Sequence, residues 1–169
     1  MKNVAILGAT GYVGQRFIQL LENHPWFKVT AVAASERSAG KSYAEACHWL
    51  LETPMPDAVF GLRVADCTPA SVGDVDLVFS CLPGNLAAEA EKAFAQASVP
   101  VVSKASAHRM DADVPLIIPE VNPEHLALID VQKKNRNWQG FISTDPNCST
   151  APLAITLKPL MDLGIRRVH

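Results

Sequence analysis

An α/β fold, a doubly wound parallel sheet with crossover helices, is predicted by three features of this sequence. Short apolar runs rich in Val, Ile and Leu alternate with helix-period segments along most of the chain. A glycine-rich turn, Gly8-Ala9-Thr10-Gly11-Tyr12-Val13-Gly14, separates the first apolar run from the first helical segment. The third feature is Cys148, which stands between an apolar extended run and an apolar helical one.

The first strand is Val4 to Leu7. Tyr12 to Leu21 follows as a helix with Val13, Phe17, Leu20 and Leu21 on one face, and Asn23-His24-Pro25 ends it. Val29 to Ala34 is the next strand. From Gly40 to Val64, Pro54, Pro56 and Gly61 interrupt any period, leaving one candidate helix from Tyr43 to Leu51. Leu77 to Cys81 reads as a buried strand stopped by Pro83-Gly84, after which Asn85 is expected to cap a helix from Leu86 to Ala97. Val101-Val102 begins another strand. Leu116 to Ile118 and Phe141-Ile142 are short strand candidates on either side of a helical pattern from Pro123 to about Lys134.

The 169 residues, 49% of them hydrophobic, suffice for one well-buried core. The formal net charge of -2 comes from 15 basic and 17 acidic side chains without blocks of either sign. Nucleic acid and anionic membrane surfaces are therefore poor candidate partners, and a small soluble molecule a better one. The apolar N-terminal run is too short for a signal peptide and no run is long enough to span a bilayer, so a cytoplasmic protein is expected. Cys47, Cys67, Cys81 and Cys148 are scattered, without the paired spacing of a zinc site or the density of a disulfide scaffold. Reduced thiols and no metal are expected.

The glycine turn suits a dinucleotide pyrophosphate resting on a helix N-terminus, as in Rossmann-like folds. Its spacing, G-x-x-G-x-x-G, is a relaxed form of the fingerprint, and its position directly after a strand gives it weight. Gly8, Thr10, Gly11, Tyr12, Val13 and Gly14 are the cofactor-binding candidates there. After the second strand comes Ser35-Glu36-Arg37-Ser38. An acid at this place binds a ribose 2′-OH, whereas Arg37 between Ser35 and Ser38 makes a better cradle for a 2′-phosphate. The expected cofactor is NADP, the competing reading being a solvated loop. Cys81 and Leu82, at the end of the buried strand, and Lys104 complete the expected cofactor contacts.

Cys148 lies in Thr144-Asp145-Pro146-Asn147-Cys148-Ser149-Thr150-Ala151-Pro152. The turn at Asp145-Pro146-Asn147 and a first-turn proline at Pro152 place the thiol at a helix N-terminus. Unpaired N–H groups and the positive end of the helix dipole favour thiolate there and can also hold an oxyanion. The competing reading is a small buried apolar residue.

Taken together, the glycine turn, Ser35-Glu36-Arg37-Ser38-Ala39-Gly40, Ser106-Ala107-His108-Arg109-Met110-Asp111, Ile118-Pro119-Glu120-Val121-Asn122-Pro123 and Asn147-Cys148-Ser149-Thr150 resemble aspartate-semialdehyde dehydrogenase of the archaeal and fungal type. The resemblance covers the whole chain. It implies NADPH-dependent reduction of 4-phospho-aspartate to aspartate semialdehyde and phosphate, on the way to lysine, threonine and methionine, with Cys148 carrying an acyl thioester. It also implies that Arg109 and Ser106 hold the phosphate, that Asn147 orients the substrate carbonyl, and that Glu120 lies near the active site, where it reads equally as a turn residue. His108 is expected to be structural. Lys104 stands where the family usually has asparagine, a change that either tightens anion binding or disturbs the nicotinamide end.

Residues 1–147 are expected to form the NADP-binding domain and residues 148–169 to begin a second, catalytic domain with a nucleophile helix and the start of a strand. In the family that second domain supplies a general-base histidine, a carboxylate-binding arginine, a phosphate-binding lysine and the surface for homo-oligomer formation. Two alternatives remain open at this point: a stand-alone NADP-binding module without turnover, and a related acyl reductase. N-acetyl-glutamyl-phosphate reductases usually have glycine before the cysteine and tyrosine after it, where this chain has Asn147 and Ser149. Malonyl-CoA reductases are not distinguished by these residues.

Overall fold

A computed structural model of the chain describes residues 1–161, 163, 164 and 167. The strand expected to start after Gly164 falls on Ile165, Arg166, Val168 and His169, outside the described residues.

β1 (Lys2–Leu7) carries a continuous apolar run because it is covered on both faces. Val4 and Ile6 pack into one core with Ile18, Val32, Tyr43 and Val59, while Ala5 and Leu7 pack into the other with Val78, Phe94, Val101 and Ile142. The other strands are β2 (Phe27–Ala34), β3 (Val64–Asp66), β4 (Leu77–Ser80), β5 (Val101–Ser103) and β6 (Ile142–Thr144). All pair in parallel, in the order β3-β2-β1-β4-β5-β6. This is the doubly wound arrangement expected, and its order reverses between β1 and β4, where such sheets open a crevice at their C-terminal ends.

The helices depart from expectation in instructive ways. α1 (Tyr12–Leu20) buries Gly14, Gln15 and Ile18, with Phe17 and Leu21 partly covered, whereas Val13 and Leu20 are 45% and 68% exposed. The buried stripe is displaced from the expected face because Gly14 lets the helix approach the turn before it. α2 (Tyr43–Ala46) is a single turn closed by a Ser42–Glu45 capping box, not a helix to Leu51. Beyond it the backbone is satisfied by the buried Gln15, which donates to His48 O at 3.0 Å and accepts from Leu50 N at 2.7 Å. Two more single turns, α3 (Asp57–Phe60) and α4 (Pro69–Val72), flank β3.

α5 (Gly84–Gln96) begins earlier than expected. Its N-cap is Pro83, whose carbonyl accepts from Leu86 N and Ala87 N, so Asn85 lies inside the first turn and is not the cap. Leu116 to Ile118 forms only an isolated bridge, Leu116 to Thr144, rather than a strand. A 3-10 turn over Pro123–Ala127 leads into α6 (Leu128–Arg136), and α7 (Thr150–Met161) follows β6. None of the residues of α7 is buried, and Leu153, Ile155 and Met161 are exposed. Among the described residues no helix is long and apolar enough to cross a membrane.

Arg136, the last residue of α6, ties that helix to the preceding loop. Its Nε donates to Asp113 Oδ2 at 2.8 Å and its Nη2 to Asp111 Oδ2 at 2.9 Å and to Asp113 Oδ1. The Arg136 hydrogen bonds hold Asp113 below its ordinary carboxylate range against the effect of burial. For Asp111 burial pushes upward, but donation from Arg136 and His108 outweighs it and the net shift is also downward. Folded values below the unfolded ones mean that this stabilisation is complete above the unfolded Asp range, about pH 4, and is lost as pH falls through the folded values. Replacing Arg136 with Gln should therefore lower the unfolding free energy by about 2–3 kcal/mol at neutral pH. It should also flatten the loss below pH ~4; urea titrations across pH 2–7 measure both.

Candidate functional site

The turn between β1 and α1 is shaped by contacts that only glycine allows. Gly8 has φ +71, and a Cβ there would stand 2.6 Å from the Cys81 carbonyl oxygen. At Gly14 a Cβ would stand 2.4 Å from the Gly8 carbonyl oxygen. The carbonyl side of the turn is held from behind: the buried Tyr43 hydroxyl donates to Ala9 O at 2.7 Å, and Gln15 Nε2 donates to Thr10 O at 3.0 Å. Gly11 is the N-cap of α1 and no side chain caps it, so the N–H groups of the first turn are open to an anion. This turn therefore fits a pyrophosphate.

Beside it, at the ends of β1 and β4, lies a cleft of ≈ 1140 Å³. Of the residues expected to bind cofactor, Gly8, Thr10, Gly11, Ser35, Arg37, Cys81 and Leu82 line it. The others lie outside its walls, each for a local reason. Tyr12 and Val13 are exposed on α1, Gly14 is buried against the turn, and Ser38 closes a turn by donating its N–H to Ser35 O at 2.8 Å. Lys104 pairs with Asp145 and lies 5.7 Å from the centre of the Phe17 ring. Asp66, Cys67, Thr68 and Ser71, from the end of β3 into α4, also line the cleft and were not singled out from the sequence. Thr68 followed by Pro69 was a usable signal there, since Thr68 Oγ1 caps α4 and the proline occupies its first turn.

The second cluster lies at the ends of β5 and β6. Arg109 donates from Nε to Asp145 O and from Nη2 to Lys104 O, both at 2.8 Å, and so bridges the two strand ends. Its Nη1 makes neither contact. Ser106 is exposed and close to the start of α5, where a Cβ on Gly84 would stand 2.9 Å from its Oγ. Asn147 caps α7: its Oδ1 accepts from Ser149 N at 3.1 Å and Thr150 N at 2.9 Å, and from both hydroxyls at 3.0 Å. Cys148 follows it, exposed, in the turn that opens the helix. Glu120 is exposed on the Ile118–Asn122 turn, where Val121 N and Asn122 N donate to Ile118 O. His108 is buried, with Nδ1 2.9 Å from Asp111 Oδ2.

The remaining thiols are unsuited to nucleophilic work. Burial pushes Cys81 up to about 12, and burial likewise raises Cys67 and Cys47.

Residues 3–129 match the family model described as semialdehyde dehydrogenase, NAD binding domain. Aspartate-semialdehyde dehydrogenase of Archaeoglobus fulgidus is 57% identical over 99% of this chain and 48% of its own length. A malonyl CoA reductase (NADP) of Metallosphaera sedula is 44% identical over 92% of this chain and 43% of its own. The crystal structure of aspartate semialdehyde dehydrogenase with NADP from Candida albicans superimposes with a TM-score of 0.88 at 42% identity, covering 96% of this chain and 47% of that one. The chain thus spans about half the length of the relatives it matches. With the sheet order, the glycine turn and the cleft beside it all in agreement, the chain belongs to the semialdehyde dehydrogenase family and carries its NAD-binding domain.

Proposed function

We propose that this chain is the cofactor-binding part of an NADP-dependent aspartate-semialdehyde dehydrogenase that converts 4-phospho-aspartate to aspartate semialdehyde and phosphate in amino-acid biosynthesis. Residues 1–147 form the cofactor domain, and Cys148 with α7 opens the part that completes the active site. The observation that carries the reading is the pairing of an uncapped glycine turn on one strand end with an exposed cysteine at a helix N-terminus on another. The identity to the Archaeoglobus enzyme supports it.

In this mechanism Cys148 attacks the acyl carbon of the substrate, the C–O bond to phosphate breaks, and a thioester forms on the sulfur. Bound NADPH supplies the hydride that releases the aldehyde and returns the thiolate. Asn147 fixes the turn that presents the Cys148 sulfur, its Oδ1 taking up the Ser149 and Thr150 N–H groups, and its amide Nδ2 orients the substrate carbonyl. Arg109 Nη1, with Ser106, receives the phosphate while the rest of the guanidinium stays anchored to Asp145 and Lys104. A second reading, acyl-CoA reduction, is favoured by the Metallosphaera relative, and assaying malonyl-CoA beside aspartate semialdehyde separates the two.

Arg37 lines the cleft with Ser35, which supports its pairing with a ribose 2′-phosphate. NADPH should bind roughly ten- to hundredfold more tightly than NADH, the worth of one charge-assisted contact of about 1.5–3 kcal/mol. Calorimetric titration of both cofactors measures the difference, and Arg37→Ala should erase most of it; equal affinities in the unmutated chain would remove the basis for NADP.

Limiting iodoacetamide should label Cys148 first among the four thiols, since it is exposed while burial holds the others neutral. Peptide mapping reads the order, and earlier labelling of Cys47 or Cys67 contradicts the nucleophile assignment.

As a polypeptide of these 169 residues alone, the chain should show no measurable steady-state activity. Among the described residues, no other residue in a resembling motif can serve as the general base, worth about 10²–10⁴-fold. The exposed apolar surface of α7 should also drive self-association. The test is phosphate-dependent NADP reduction with aspartate semialdehyde, run beside a chain extended by the half that the relatives possess. Comparable turnover by the short chain overturns the two-domain reading, and no turnover by the long one overturns the substrate.

A further inference from the structure

α5 sends a carboxylate into the core. Glu91 is 0% exposed, and a fully buried carboxylate is costly unless its oxygens are engaged. Its Oε1 accepts from Ser103 Oγ at 2.6 Å, and Ser103 Oγ in turn accepts from Ala105 N at 3.0 Å. Its Oε2 makes no hydrogen bond and faces His108, whose Nε2 is 3.9 Å away. That ring is fixed at Nδ1 by Asp111 Oδ2, 2.9 Å away, and its Nε2 also lies 3.3 Å from Ala88 O.

Ser103 and His108 are the two ends of one loop. Residues 103–109 leave β5 at Ser103, pass Lys104 and Ser106, and reach Arg109 immediately after His108. Glu91 therefore meets this loop at its first residue and again at the residue before its guanidinium. Arg109 is next tied to Lys104 O and Asp145 O, and Asp145 lies three residues before Cys148. An apolar side chain of similar volume would fill the same space at lower desolvation cost. Core filling thus does not account for a carboxylate whose two oxygens are aimed at the two ends of one loop.

We propose that Glu91 is a positioning residue: hydrogen-bonded to Ser103 and facing His108, it fixes the Lys104–Arg109 loop and thereby the place of the Arg109 guanidinium relative to Cys148. This rests on the reading that Arg109 receives phosphate. Its test must therefore report on the guanidinium with and without turnover.

Glu91→Met removes the hydrogen bond from Ser103 and the carboxyl oxygen facing His108 while keeping the volume, and should leave the thermal midpoint and NADP affinity unchanged. In the 15N-labelled chain, exchange of the Arg109 Nε proton with water should accelerate about ten- to hundredfold as its bond to Asp145 O loosens. In the extended enzyme the KM for inorganic phosphate should rise on the order of ten- to hundredfold with the KM for NADP unchanged. Adding Glu91→Met to Arg109→Ala should change neither further. Should the methionine variant not fold, Glu91→Gln is read by the same measurements, since it keeps the shape and an oxygen for Ser103 but removes the charge facing His108. A folded variant with wild-type Nε exchange overturns the inference. Equal rises in both KM values also overturn it, because they mark a general structural role. If the unmutated enzyme shows no turnover, the substrate reading fails, and the exchange rate alone decides the role of Glu91.

Discussion

The turn after β1 runs so close to the end of β4 that a single added methyl at Gly8 would overlap the Cys81 carbonyl oxygen. Forcing an atom into such a contact costs about 1–3 kcal/mol in a packed interior, and here the neighbour is backbone, which gives little. Much of the site follows from this approach. It sets α1 down on the sheet through Gly14 and leaves the helix N-terminus at the mouth of the crevice between β1 and β4. Tyr43 and Gln15 then secure the carbonyls of the turn from the interior, so its polar demands on that side are met by protein.

The end of the sheet next to Cys148 is organised differently. Where the glycine turn relies on absent side chains, the β5 and β6 ends rely on present ones: the Arg109 fork joins two carbonyls, Lys104 meets Asp145, and Asn147 gathers four donors at one oxygen. Parallel strands are not closed by a tight hairpin; here Asp145 N donates to Ser103 O, and the Arg109 fork adds a side-chain bridge between the same two ends. In the phosphate-binding role proposed for it, Arg109 has the N–H groups that the bridge leaves over, two on Nη1 and one on Nη2, which narrows the direction from which a phosphate can approach.

The central strands, the glycine turn and the Ser35–Arg37 side of the cleft were legible because their chemistry is local. Doubly covered strands read as unbroken apolar runs, and a phosphate-binding turn needs glycine at fixed places. What escaped was set by long-range partners. The segment after α2 looked helical, yet its backbone is claimed by Gln15, about thirty residues earlier in the chain, and nothing near Cys47 announces that. β3 is three residues long with only Val64 buried, too short to show a period. The start of α5 was misplaced because Asn85 is a good cap in isolation, whereas the turn starts from the Pro83 carbonyl. Lys104 looked like a cofactor contact by its place in a motif, but an acid from another strand, Asp145, draws it to the side of the sheet occupied by Phe17.

β1 is the earliest strand in the chain and has a partner on each edge, β2 on one side and β4 on the other. β2 is complete by Ala34, but β4 does not end until Ser80. During synthesis at about 5–20 residues per second, the second edge of β1 therefore emerges several seconds before the strand that closes it. Over that interval an apolar strand presents unpaired N–H and C=O groups, the form of surface that pairs promiscuously with other extended chains. The exposure of this fold to misassembly, and any dependence on holding chaperones, is thus greatest before its first eighty or so residues have been made and eases once β4 is in place.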